Sequence, residues 1–112
     1  MITAITFVLA AAAGALARAE AGRRWNRHDG FSLGTLIVNV TGSFMLGLVS
    51  ELTPPTITVL GVAGIGAYTT FSSFARDAVA LAETRKVMLA VFYVTSSCLL
   101  GVGAAAIGVA AA

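Results

Sequence analysis

The chain has 112 residues, of which 58% are hydrophobic and only 11% charged, with a net charge of +2 and a mean hydropathy of +0.93. So few charges cannot dress that much apolar surface for water, which excludes a soluble enzyme or binding domain. An isoelectric point near 9.2 would point to nucleic acid in a soluble protein; here the basic residues follow a membrane pattern, and no nucleic-acid partner is expected.

Four apolar stretches lie between the charged clusters, at 2–17, 31–50, 57–74 and 87–109. Each is close to the ~20 residues that cross a ~30 Å hydrocarbon core as a helix. The expected fold is therefore an all-α membrane protein with one domain over residues 1–112. Its four transmembrane helices are placed at about 2–21, 31–50, 57–81 and 87–109, with a break in the third near 66–69.

The first stretch lacks the basic n-region of a secretory signal, and nothing like a soluble mature domain follows it, so it reads as a membrane helix. Arg18 at its end is either a snorkelling anchor or a charge that gathers anions at a vestibule. The following loop carries Asn26, His28 and Asp29. His28 has no second histidine to share a metal with, and reads as solvated.

In the second stretch Thr35, Asn39 and Ser43 recur every four residues and share one helix face. Ser43 alone reads as interhelical hydrogen-bond glue. Asn39 is costlier to bury, and its NH₂ group can donate to a passing anion. Pro54-Pro55 marks a non-helical connection to the third stretch.

The third stretch is the most informative. Gly61-Val-Ala-Gly-Ile-Gly-Ala-Tyr-Thr-Thr-Phe-Ser-Ser-Phe74 places glycines, hydroxyls and aromatics where a plain membrane helix carries leucines. Loosened backbone at membrane depth survives only where protein or a polar cavity satisfies it, and such interruptions point to an ion or substrate site. Phe71 and Phe74 lie three apart on one face, interleaved with Thr70, Ser72 and Ser73. A phenyl ring has a positive edge that can contact an anion; outside such a context the two rings would be read as packing.

In the fourth stretch Tyr93 and Ser97 are four apart, with Ser96 adjacent. Cys98 is the single cysteine, which excludes an intrachain disulfide and a four-cysteine metal site, and it reads as a small packing residue. The acids Glu20, Glu51, Asp77 and Glu83 fall at segment ends or in loops, and Asp29 in a loop. A proton-coupled carrier needs a mid-membrane carboxylate. Donors without carboxylates suit an anion.

Gly64-x-Gly66-x-x-Thr69-Thr70-Phe71-Ser72-Ser73-Phe74, preceded by Gly34-Thr35-x-x-x-Asn39-x-x-Gly42, resembles the Fluc (CrcB) fluoride channels. The resemblance runs over nearly the whole chain, including Arg18, Tyr93 and Ser97. It implies an antiparallel dimer of four-helix subunits with two narrow fluoride pores, exporting cytoplasmic fluoride passively and relieving its toxicity, without enzymatic activity. By resemblance Asn39 donates along the pore, Phe71 and Phe74 form its aromatic wall, and Tyr93 and Ser97 line the same route with Thr35, Thr70 and Ser72. A structural, non-transported sodium ion is implied at the dimer centre, held by backbone carbonyls at Gly66 and Thr69. Two departures are Tyr68, a hydroxyl where the family often has an apolar residue, and Ser73, where threonine is common.

Two other readings are a small four-helix multidrug exporter and a non-transporting assembly subunit. The exporter needs a central acid in its first helix, and residues 2–17 contain none. The assembly subunit would lack aligned donor stripes.

The seven Lys and Arg residues are Arg18, Arg23, Arg24, Arg27, Arg76, Arg85 and Lys86. With four spans they all fall on one side, which the positive-inside rule makes cytoplasmic. Both termini are then expected outside the plasma membrane of a prokaryote. A dual-topology homodimer needs a balanced charge bias, so the expected partner is rather an oppositely oriented homologue, within a shell of membrane lipids.

Overall fold

The computed structural model describes residues 1–27 and 30–112; His28 and Asp29, read above as loop residues, lie outside the described residues. It is helical throughout those residues apart from turns and one isolated bridge, Asn26 to Ser32. Helix α1 runs Ile2–Trp25 and α2 runs Leu33–Leu48. The composite α3 is a π-wound stretch, Thr58–Ile65, running directly into one α-turn, Gly66–Tyr68. After an interruption come α4, Phe71–Glu83, and α5, Val87–Ala111. Together α3 and α4 are the bent third helix of a four-helix membrane protein.

At 1.5 Å per residue, α1 and α5 are each roughly 36 Å long, enough to cross a hydrocarbon core of about 30 Å. Both are apolar enough to do so, and α2 is a shorter apolar helix. Expected ends differ by a few residues. The largest difference is at α1, which continues through its basic last turn, where Glu20 binds Arg23 and Arg24 at 2.5 and 2.6 Å. Those pairs sit one helical turn apart and favour helix over the loop that the charges alone indicate.

The packing order explains where the site lies. Helix α2 is central, lying against α5 over most of its length and against α1 on its other side; α3 packs on α1, and α4 on α5. The interruption between α3 and α4 therefore carries the chain across α2. Close approach of backbones makes this possible. A Cβ at Gly47 would lie 2.5 Å from the Ala105 carbonyl oxygen, and one at Gly14 would collide with the Gly64 carbonyl oxygen. Small residues at these contacts allow tight packing where lipid offers no hydrophobic drive between helices.

The molecule is a slab of 49 × 29 × 18 Å. It is too thin to bury much, and Leu9, Val91, Leu99 and Phe71 are among many large apolar side chains left open. In water this would be an aggregation surface; in a bilayer it is the expected outer face. Cys98 also lies exposed on α5.

Candidate ion pathway at the helix break

The break falls at Thr69 and Thr70, both extended, with φ/ψ of −84°/162° and −154°/116°. Gly66 is still helical, so the glycines mark the approach to the break and the threonines make it. In an unbroken helix the Thr70 amide would donate to the Gly66 carbonyl. Instead it donates to Asn39 Oδ1 at 2.7 Å, and Asn39 Nδ2 donates to the Thr70 carbonyl at 2.9 Å. One side chain on α2 thus satisfies both backbone polar groups of the extended residue Thr70. Thr70 then restarts the helix: its Oγ1 accepts from the Ser73 amide at 3.1 Å, an N-cap, and lies 3.4 Å from Ser72 Oγ.

An open cleft of about 260 Å³ lies at this point, lined by Asn39, Gly42, Ser43, Thr69, Thr70, Phe71 and Phe74 together with Leu46. Four of the expected pathway residues are brought together here. The rings of Phe71 and Phe74 have centroids 5.8 Å apart, tilted by 50°. Phe71 is 78% exposed, whereas Phe74 turns inward and contacts Tyr93 at 5.4 Å. The Asn39 amide has two protons; one goes to Thr70, and the other has no partner among the described residues.

The two donor stripes face each other. Gly101 of α5 lies beside Ser43 Oγ, Gly47 beside Ala105, and Thr35 in the surroundings of the Tyr93 hydroxyl. This parallel register sets Ser97 opposite Asn39. Tyr93 is fully buried, edge-on to Phe31 at 5.1 Å. Its Oη and Ser97 Oγ are buried without a hydrogen-bond partner among the described residues; Thr35 is near Tyr93 but outside bonding geometry. Ser43 differs, since its Oγ donates to the Asn39 carbonyl of its own helix at 2.7 Å.

Other expected residues stand apart from the cleft. Thr35 is 4% exposed and closes the α1–α2 turn: its amide donates to Asn26 Oδ1 at 3.0 Å, and its Oγ1 accepts from Asn26 Nδ2 at 3.1 Å. Arg18 is half-buried in α1 and is not among the residues lining the cleft. Gly66 is exposed at the end of α3.

Two residues were missed. Asn26 read as loop, yet it caps a first-turn amide of α2 that has no partner within its own helix. Asp77 read as lying at a segment end, but sits within α4, its side chain only 18% exposed. It accepts from the Thr35 hydroxyl at 3.4 Å and faces Arg76 Nε at 3.5 Å. Its spacing from Phe74 and Leu81, three before and four after, is the signal that puts it on the packed face. Asp77 also borders a polar cleft of about 570 Å³ with Arg23, Asn26, Arg27 and Arg76. Basic residues from the end of α1, the α1–α2 turn and α4 thus converge at one end of the bundle.

Replacing Asn39 by alanine leaves both Thr70 backbone groups unpaired at membrane depth. At about 1–3 kcal/mol per unsatisfied buried group, Asn39→Ala is expected to lose 2 kcal/mol or more, roughly, of stability. Thermal unfolding in detergent reads this, with Ser43→Ala as the near-neutral comparison.

Comparison with known proteins identifies the family. The model of the CrcB-like protein, Camphor Resistance (CrcB) family matches residues 5–109. A fluoride-specific ion channel FluC 2 of Rhodococcus jostii (strain RHA1) is 36% identical over 109 residues, covering 96% of each chain. A FluC 1 of Nitrobacter hamburgensis is 38% identical over 117 residues, covering 93% of each. A FluC of Oceanobacillus iheyensis is 38% identical over 103 residues, covering 86% of this chain and 80% of the relative. On its four-helix architecture, its broken third helix and these matches, the chain belongs to the CrcB-like family.

Proposed function

We propose that this chain is a subunit of a passive fluoride channel, which lets cytoplasmic fluoride leave down its electrochemical gradient and so relieves its toxicity. It is a channel and not an enzyme. The observation that carries the reading is the pair of buried, unpartnered hydroxyls of Tyr93 and Ser97, on the stripe facing Asn39 and beside the Phe71–Phe74 pair. Each unpaired donor costs about 1–3 kcal/mol. A small anion moving along the stripe accepts from them and offsets that cost, while the ring edges add positive surface without a counter-charge that would trap the ion. Physics alone supports an anion; fluoride comes from what the relatives are named for.

On this reading Thr70 and Ser72 contribute hydroxyls beside the aromatic wall, Thr35 borders the inner end, and Arg18 gathers anions near the mouth. The exposed Phe71 and Gly66, with the thinness of the slab, support a second subunit covering this face, packed antiparallel so that two pathways form. A structural sodium ion is proposed at the centre of that dimer. The residues fit it: diverting the Thr70 amide to Asn39 frees the Gly66 carbonyl, Thr69 turns its own carbonyl out of the helix, and hard cations take oxygen ligands.

Ring contacts worth about 1.4 kcal/mol correspond to a tenfold change in rate. Phe71→Ile or Phe74→Ile is therefore expected to cut fluoride efflux from proteoliposomes by roughly tenfold, with the dimer still assembled on gel filtration. Unchanged efflux in both variants returns the rings to packing.

All seven Lys and Arg residues on one side support a single orientation, both termini outside, and hence a homologous partner chain of opposite bias. Reporter fusions at either terminus are expected to signal from the external side only. Comparable signal from both sides, with full fluoride resistance from this gene alone, contradicts the heterodimer.

A further inference from the structure

Asn39 holds only the C-terminal lip of the break. The last helical bond on the other lip runs from the Thr69 amide to Ile65 O at 2.9 Å, and beyond it stands a contact that the pathway does not use. Tyr68 Oη lies 3.0 Å from Thr41 Oγ1. Thr41 Oγ1 already donates its proton to Ile37 O of its own helix at 2.7 Å. A hydroxyl has one proton, so the tyrosine is the donor of the pair.

The placement of the two anchors is telling. At 100° per residue, Asn39 and Thr41 stand about 160° apart around α2 on the shorter arc, with Gly42 between them. A Cβ at Gly42 would collide with Thr69 Cγ2 and lie 3.4 Å from Tyr68 Cδ2. Residues 68–70 therefore straddle α2: Thr70 is tied to Asn39 on one flank, Tyr68 to Thr41 on the other, and Thr69 rests on Gly42. Thr41 is exposed, so without this bond the phenol would face a medium that offers it no partner.

We infer that Tyr68 is a positioning residue: its hydroxyl, donated to Thr41, fixes the N-terminal lip of the break and with it the direction of the Thr69 carbonyl toward a cation. This rests on the cation reading above. Ordinary interhelical glue would alter stability alone, whereas a positioning hydroxyl alters how strongly the break holds its ion.

Tyr68→Phe keeps the ring over Gly42 and deletes only the hydroxyl. Fluoride efflux from proteoliposomes is titrated with sodium. Half-saturating sodium is expected to rise about fivefold, the fold-change of one neutral hydrogen bond, with the rate at saturating sodium retained. Thr41→Val should match it, Thr41→Ser should behave as the unaltered protein, and the double variant should be no worse than either single one. An unchanged half-saturation in Tyr68→Phe overturns the assignment. If efflux of the unaltered protein ignores sodium, the cation reading has failed, and the clasp is judged by amide hydrogen exchange across residues 66–71. Faster exchange in Tyr68→Phe and Thr41→Val, but not in Thr41→Ser, sustains it; equal exchange in all four proteins overturns it.

Discussion

A broken helix inside a membrane must have its backbone groups satisfied by protein, because lipid supplies no hydrogen bonds. In this chain the requirement is met chiefly by one side chain. The Asn39 amide pairs with both the N–H and the C=O of Thr70, imitating the backbone partner that the interruption removes. That pairing lets α3 stay with α1 while α4 moves to α5. It also determines where the aromatic pair Phe71–Phe74 begins, and leaves Asn39, which lines the cleft, with one amide proton unpartnered among the described residues. Architecture and pathway thus depend on the same contact.

The facing stripes of α2 and α5 use the register that this arrangement imposes. Glycines close the far end, where Gly47 meets Ala105 and a Cβ at Gly108 would collide with the Phe44 carbonyl oxygen. Toward the basic end the pairs become polar: Ser43 with Gly101, Asn39 with Ser97, Thr35 with Tyr93. Tight contact below and hydroxyls above produce a graded seam, dry at one end and donor-lined at the other. Hydroxyls that find no internal partner in such a seam are costly unless a ligand uses them, which ties an energetic defect to a functional explanation.

Much of this was legible in the sequence. Four spans followed from hydropathy and length, the donor stripes from four-residue spacing, and the interruption from the glycine and threonine run. What could not be read was which backbone groups are freed. The break was placed near 66–69 from the run of glycines and hydroxyls, yet Gly66 remains helical and the chain is extended at Thr69–Thr70, where Asn39 captures the amide. A side chain thirty-one residues away in sequence leaves no local signal. Asp77 and Asn26 were misplaced for a related reason: charge and polarity mark loops on average, but here one is packed beside Thr35 and the other is consumed in capping α2. Asn39 was recognised as a donor, and its structural duty toward Thr70 came only with the fold.

The most direct test of the account is ion efflux from liposomes holding the purified, unaltered protein, followed with fluoride-selective and chloride-selective electrodes in parallel. The account predicts rapid fluoride efflux once the membrane potential is clamped with an ionophore, and chloride retained in the same vesicles. Vesicles that hold both anions, or release both at similar rates, would contradict it.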